Sequence, residues 1–556
     1  MINPDNSTTM IKKVCLINAS VVCLFTASCK TSDEPSSQHP NILIIYADDL
    51  GYGDVQSYNP DRGKIPTPNI DRLAEQGMRF TDAHSSSAVC SPSRYTILTG
   101  RYHWRSRLQR GNVPPFGPPL ITPDRLTIGG LVKQKSYHTA CIGKWHLGWD
   151  WPIPEGKTEM FAPSQKDVTA SDEHREIWKE VFSQSIPGGP TAVGFDEYFG
   201  TAVPNWPPFC FIENDRTLGI PSEFGAANLF GRNQASRQGP SLKDWRLEDV
   251  LPALGDRAVE FIERMADAPE PFLLYFSLTS PHTPLAVNNK WQDKSGISMY
   301  ADLVMETDWV IGQVLEALEK SGASNNTLVI FASDNGCASY VGNTTPEEAA
   351  DTTYNDWSHY SPRNMNQLSD LPVKAMEEIG HFPSGPLRGY KSDVWEGGHR
   401  VPFIVRWPGK IEPGSISNQL VHQADLMRTI AEVIGVSLPP DAGEDSFSLL
   451  PLFYGEENPV REHAVSTSMG GTPGLRTGSW KLILGEGSGR GGWTPGSDGK
   501  PIQLYDLEND LGETDNLVDE FPERVEEMRL TMEKLISEGR STPGPKQEND
   551  VEVIRY

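Results

Sequence analysis

The chain has 556 residues, 37% of them hydrophobic and 22% charged, enough for a large core and more than one domain. Against 49 Lys and Arg stand 74 Asp and Glu, a net charge of -25. This balance excludes a broad nucleic-acid or anionic-membrane surface, because a phosphate backbone demands a basic face, but it leaves room for a local basic pocket inside an acidic shell.

The first segment reads as targeting rather than structure. Lys12 and Lys13 precede an apolar run over 14–25, then Thr26, Ala27, Ser28 and Cys29, then a polar stretch. The run is too short for a comfortable membrane span. Small residues before a cysteine resemble the lipobox of bacterial lipoproteins, which implies a signal peptide over 1–28, lipidation of Cys29 and a linker over 29–40. Met10 is an alternative start, and a plain secretory signal is the alternative processing. Either processing predicts an exported protein, periplasmic or at the cell surface, and the lipoprotein reading lets it touch membrane only through the N-terminal lipid. Cys15 and Cys23 leave with the signal. The remaining Cys90, Cys141, Cys210 and Cys337 are too few and scattered for a disulfide framework or zinc cluster.

NILIIYA (41–47) is an unbroken apolar run of the kind buried on both faces in a parallel sheet. TPNIDRLAEQG then predicts a helix, with Thr67 to cap it, Pro68 in its first turn and Gly77 to stop it. FLLYFSL (272–278) and TLVIFAS (327–333) are strands, while 256–266 and the long amphipathic 300–322 are helices. This alternation predicts an α/β fold, a large and mostly parallel sheet sandwiched by helices. Residues 151–250 and 338–385, rich in Pro, Gly, Trp and Asn, read as long loops. After a helix over 423–435, GSWKLILG, IQLYDLEND and PERVEEMRLTMEKLI predict short antiparallel strands and a closing helix. The expected division is a main domain over 41–455, a smaller C-terminal α+β domain over 456–541 and a loose tail over 542–556.

In open α/β sheets ligands bind beyond the carboxyl ends of the strands. There the first strand runs into Asp48 and Asp49, and TLVIFAS into Asp334 and Asn335, four oxygen donors suited to a hard cation, calcium or magnesium. Lys144 and His146 in GKWHLG, His282 in SPHTP and Lys391 in RGYKSDVWEGG add positive and titratable groups. Together they describe a pocket for a compact, highly charged oxyanion.

With those residues in view, the chain resembles the sulfatase family of the alkaline-phosphatase superfamily. CSPSRYTILTGR (90–101) matches the CxPxR signature and the LTGR after it, and ADDLGYGD, GKWHLG, SPHTP, SDNG and KSDVWEGG follow in family order. The resemblance covers about residues 40–455 and extends to YDLENDLGETDNL in the C-terminal domain. It implies an alkaline-phosphatase-like fold and conversion of Cys90 by a formylglycine-generating or anaerobic sulfatase-maturing enzyme to Cα-formylglycine (3-oxoalanine). The hydrated aldehyde carries one hydroxyl to attack sulfur and a second to expel the sulfate. It implies one Ca2+ held by Asp48, Asp49, Asp334 and Asn335 with residue 90. Arg94 would orient the diol, Lys144 and Lys391 neutralise the sulfuryl oxygens, His146 deprotonate the second hydroxyl, and His282 with Lys391 protonate the leaving alcohol.

The substrate class implied is an organic sulfate monoester. Trp-rich loops beside the motifs point to sugars, with Trp104 and Arg105 in RYHWRSRLQR and Asp150 and Trp151 in GWDWP as the expected rim. The pattern resembles the arylsulfatase and galactosamine-6-sulfatase branch, with sulfated glycosaminoglycan, algal galactan, ulvan and fucan as open substrates. A formylglycine-dependent phosphonate or phosphodiester hydrolase, and an inactive surface lipoprotein that binds sulfated glycans, are the alternatives.

Overall fold

The computed structural model describes residues 39–162, 169–226, 237–342 and 371–555. The predicted signal, Cys29 and all but the end of the linker lie outside the described residues. The main sheet has ten strands in the order Ser415–Ser417, Met78–Phe80, Phe403–Arg406, Thr327–Ser333, Asn41–Ala47, Phe272–Ser277, His138–Lys144, Glu197–Thr201, Ile212–Glu213 and Arg216–Thr217. The five from Thr327–Ser333 to Glu197–Thr201 run parallel, and antiparallel pairs close both flanks.

The apolar run of the first strand is continuous because both its faces are covered. Leu43, Ile45 and Ala47 enter a core with the helices Pro68–Glu75, Val250–Ala266 and Met299–Lys320, whereas Ile42, Ile44 and Tyr46 face a second core under Cys90–Thr99 and Leu426–Val433. Full burial of each large apolar side chain contributes about 1.5–3 kcal/mol, so this strand is a rigid base for whatever follows it. Between 151 and 250 the expected loops contain, among the described residues, the helix Asp172–Phe182, the strand Glu197–Thr201 and several strands of two or three residues. The helix buries only Trp178, Val181 and Phe182, too narrow a stripe to stand out among prolines and glycines.

Four antiparallel strands, His463–Thr467, Pro473–Thr477, Trp480–Ile483 and Gln503–Asp506, form the C-terminal sheet under the helix Pro522–Glu538. Its edge reaches the main domain directly. Thr467 N–H donates to Ser86 O at 3.0 Å and Ala88 N–H to Thr467 O at 2.9 Å, just before Cys90. A buried ion-pair lattice adds to the junction: Arg476 lies 3.0 Å from Asp82 and 3.1 Å from Glu396, and Lys481 lies 2.9 Å from Glu396 and 2.8 Å from Glu513.

The tail expected to be loose is packed. Asp550 pairs with the buried Arg101 at 3.0 Å, its N–H donates to Arg105 O at 2.8 Å, Ile554 N–H donates to Gln109 Oε1 at 2.7 Å, and Val553 is buried. The buried guanidinium of Arg101, already paired with the buried Glu444 at 3.0 Å, takes Asp550 as a second carboxylate, which helps fasten the tail.

Candidate active site

Adjacent parallel strands bring the polar residues to one end of the sheet. Asp48 and Asp49 follow Asn41–Ala47, and Asp334 and Asn335 follow Thr327–Ser333, with Ala47 in register with Ser333. Lys144 closes the strand His138–Lys144, which must approach its neighbour closely: a Cβ at Gly143 would lie 1.7 Å from Ser277 O, and its φ is +123°. His146 lies just beyond, and His282 lies past the end of Phe272–Ser277. Cys90 opens the wholly buried helix Cys90–Thr99, with Arg94 one turn along on the same face. The Ser91 hydroxyl donates to His146 O at 2.8 Å and ties the helix start to the His146 turn. Asp49, His146 and Ser392, the neighbour of Lys391, adopt left-handed backbone with φ of 67°, 56° and 78°. That conformation is uncommon for residues with side chains and collects at sites where the fold over-determines it.

The side chains converge. Cys90 Sγ lies 3.6 Å from Asp48 Oδ1 and 3.9 Å from Lys391 Nζ. Lys144 Nζ donates to both Asp48 oxygens at 2.9 and 2.7 Å, and Lys391 Nζ to both Asp49 oxygens at 2.7 and 2.6 Å. Arg94 Nη2 lies 2.7 Å from Asp334 Oδ2 and 3.3 Å from Asp48 Oδ1. Asn335 Nδ2 donates to Asp49 Oδ1 at 2.7 Å. His282 donates from Nδ1 to Thr283 O and turns Nε2 to within 3.6 Å of Asp49 Oδ2. All these residues are buried.

Formally, three carboxylates face three cations. Burial alone would raise Asp48, but Lys144, His282 and Arg94 outweigh it and hold the carboxyl well below the usual range. Burial and the charge of Asp48 instead push Asp334 up to about 6. Burial, joined by Asp334, drives the Cys90 thiol far above its ordinary value, so it stays protonated and unreactive. Burial also lowers His282 to about 4 despite Asp49, and it lowers His146 further, with Lys144 acting in the same sense.

The donor set fits a hard divalent cation. Ligand atoms of Asp48, Asp49, Cys90 and His282 all lie within 4.8 Å of one another. Among the described residues, Asn335 Oδ1, an oxygen donor of the kind such ions take, is buried without a hydrogen-bond partner. Both ring nitrogens of His146 are likewise buried and unpartnered, and burying such groups is costly unless a ligand satisfies them. A dication among balanced charges leaves the site net positive, as an anionic substrate requires.

Two of the expected rim residues lie elsewhere. Trp104 and Arg105 are buried where the main and C-terminal parts meet: Arg105 pairs with Asp445 through Nε at 2.9 Å and Nη2 at 2.8 Å, donates to Leu535 O at 2.9 Å, and lies over the Trp104 ring. Arg105→Ala is therefore expected to destabilise the fold by about 3–5 kcal/mol, because Asp445 would be left buried and unpaired; thermal and urea melts check this. Asp150 is exposed, and Trp151 lines a narrow cleft that His146 also lines. Sequence reasoning missed Trp206, whose ring meets His146 edge-on at 5.0 Å, and Ser277, which accepts from Arg94 and donates to Lys144 O at 2.7 Å. Ser277 carried a signal, as a polar residue closing an apolar strand. Trp206 carried none beyond its Pro-rich surroundings.

The family model "Sulfatase" matches residues 40–436, and the model "N-sulphoglucosamine sulphohydrolase, C-terminal" matches 390–541. An N-acetylgalactosamine-6-O-sulfatase of Bacteroides thetaiotaomicron is 30% identical over 538 residues, covering 90% of this chain and 94% of that one. Human arylsulfatase A is 30% identical over 498 residues, covering 86% and 83%. A solved chain from work on the metabolism of multiple glycosaminoglycans by Bacteroides thetaiotaomicron superposes with a TM-score of 0.69 at 28% identity, covering 90% of this chain and 99% of that one.

Proposed function

Because the chain belongs to the sulfatase family, as a type I sulfatase of the alkaline-phosphatase superfamily and a sulfuric ester hydrolase, we propose that it removes sulfate from glycosaminoglycan-type sugars, with 6-O-sulfated N-acetylgalactosamine as the first substrate to try. The observation that carries the site assignment is the position of Cys90 Sγ, 3.6 Å from Asp48 and 3.9 Å from Lys391 inside the buried cluster of balanced charges. The sugar assignment draws on the names of the relatives.

In this proposal Sγ stands in for an oxygen of residue 90 after oxidation to formylglycine, whose hydrate supplies one hydroxyl to attack sulfur and one to expel it. Asp48, Asp49, Asp334 and Asn335 would hold a single Ca2+, which when bound supplies charge to polarise sulfate oxygens and acidify the attacking hydroxyl. Arg94, fixed by Asp334 and Ser277, orients residue 90. Lys144 and Lys391 meet the negative charge that gathers on the sulfuryl oxygens, in a pocket where water does not screen it. His146, with both ring nitrogens uncommitted, removes the proton of the second hydroxyl. His282 and Lys391 deliver a proton to the departing sugar oxygen. A signal ending at Ser28 and lipidation of Cys29 would place this chemistry outside the cytoplasm.

The test is release of inorganic sulfate from defined 6-O-sulfated saccharides by protein co-expressed with a maturation enzyme, with the corresponding sugar phosphate as comparator. Sulfate release should far exceed phosphate release. Failure on every sulfated saccharide, or preference for the phosphate ester, overturns the assignment.

A further inference from the structure

Trp493 belongs to none of the catalytic motifs. It lies on the glycine-rich loop between the C-terminal strands Trp480–Ile483 and Gln503–Asp506, yet this loop is fastened to the turn that carries Lys391. The backbone N–H groups of Trp493 and Thr494 donate to Asp393 Oδ1 at 2.8 and 3.1 Å, and the Thr494 hydroxyl donates to Asp393 Oδ2. The same Oδ2 accepts from Tyr390 N–H at 2.9 Å, and Val394 N–H donates to Ser488 O at 2.9 Å. Asp393 is fully buried, so these bonds are shielded from water and hold the loop as one piece with the Lys391 turn.

The indole itself packs on Tyr340, with ring centroids 5.3 Å apart and planes at 53°. The Tyr340 hydroxyl lies 3.5 Å from that of Thr283, the residue after His282. Trp493 is thus connected to the site through the residue that follows His282 and through the turn that carries Lys391, the two groups assigned to the leaving alcohol. It is only half-buried, where Tyr340 beneath it is buried. Thr494 also lines a hollow of about 520 Å³, shared with Gly485, Glu486, Arg490 and Ser497, large enough for a further sugar unit. An indole offers a large, rigid apolar face at little conformational cost, and the CH face of a pyranose is its complement.

We propose that Trp493 is a specificity-determining residue whose indole forms the wall for the sugar ring that bears the scissile sulfate; this rests on the sugar assignment above. Trp493→Ala, Trp493→Phe and the wild type, each matured, are compared on a 6-O-sulfated N-acetylgalactosamine saccharide and on a small aryl sulfate such as 4-nitrophenyl sulfate. Trp493→Ala should lower kcat/KM on the saccharide about 10- to 100-fold, mainly through KM, while its aryl sulfate kcat/KM stays within about 3-fold. Trp493→Phe should retain most of the saccharide activity. Equal losses on both substrates would mean that Trp493 only props the Lys391 turn, and no loss on the saccharide would mean that the ring touches nothing; either overturns the proposal. If the wild type cleaves the aryl sulfate but no sulfated sugar, the sugar assignment falls and this inference with it. If the wild type desulfates the sugar and Trp493→Ala does so equally well, the inference alone falls.

Discussion

Replacing Cys90 with alanine should abolish sulfate release, lowering kcat by at least about 10⁴-fold, the scale expected when a nucleophile is removed and binding groups remain. A thiol at this position is poorly suited to the work: burial and Asp334 keep it protonated, and Lys391, 3.9 Å away, is bound through both oxygens of Asp49. Its value lies in its position. Cys90 opens a helix buried along its whole length, and the segment before it is fixed by the exchange of hydrogen bonds between Ser86, Ala88 and Thr467. The atom it projects is therefore aimed at the carboxylates of Asp48 and Asp49 before any substrate arrives. The wild type should turn over in proportion to the fraction of residue 90 that mass spectrometry finds oxidised. Full turnover by protein whose Cys90 is unmodified would refute the proposed nucleophile.

The metal-binding candidates were legible because the sequence patterns around them have few physical interpretations. An apolar run as long as NILIIYA is stable only with both faces covered, and a parallel strand covered on both faces exposes chemistry at its carboxyl end. Asp48, Asp49, Asp334 and Asn335 therefore stood out without any contact map. Cys90, Arg94 and Lys391 were legible in another way, through motifs whose spacing matches a family, since neither periodicity nor composition would bring the turn at 391 to the helix at 90.

What could not be read depended on partners far along the chain. Trp104 and Arg105 look like a sugar-binding pair in a polar loop until Asp445, 340 residues further along the chain, is placed beside them. The tail looked loose because nothing near Asp550 announces Arg101, 449 residues earlier in the chain. Trp493 sits among glycines with no regular pattern, and only Asp393 and Tyr340 give it a place. In each case the local sequence was compatible with exposure, and charge pairs, hydrogen bonds and ring contacts to distant parts of the chain decided the placement.

His282→Ala should split substrates by the basicity of their leaving groups. A sugar alkoxide is too basic to depart without a proton, whereas a nitrophenolate leaves unaided, so the variant should lose about 100- to 10,000-fold on a sugar sulfate and far less on 4-nitrophenyl sulfate. The geometry specifies which nitrogen matters. Nδ1 is committed as a donor to Thr283 O, so the neutral ring that burial favours carries its proton there, and Nε2, 3.6 Å from Asp49 and on the side of Lys391, is the ring atom able to reach a departing oxygen and acts on it as part of the imidazolium. Lys391 alone does not replace it: burial would lower its ammonium, but Asp49, bound through both oxygens, outweighs burial and holds it well above its ordinary range, a reluctant donor. Initial rates on the two esters, with kcat and KM determined separately, check the prediction. Equal losses on both would show that His282 maintains the position of Asp49 rather than serving the leaving group. A loss confined to the sugar ester, with KM little changed, would assign the proton transfer to His282.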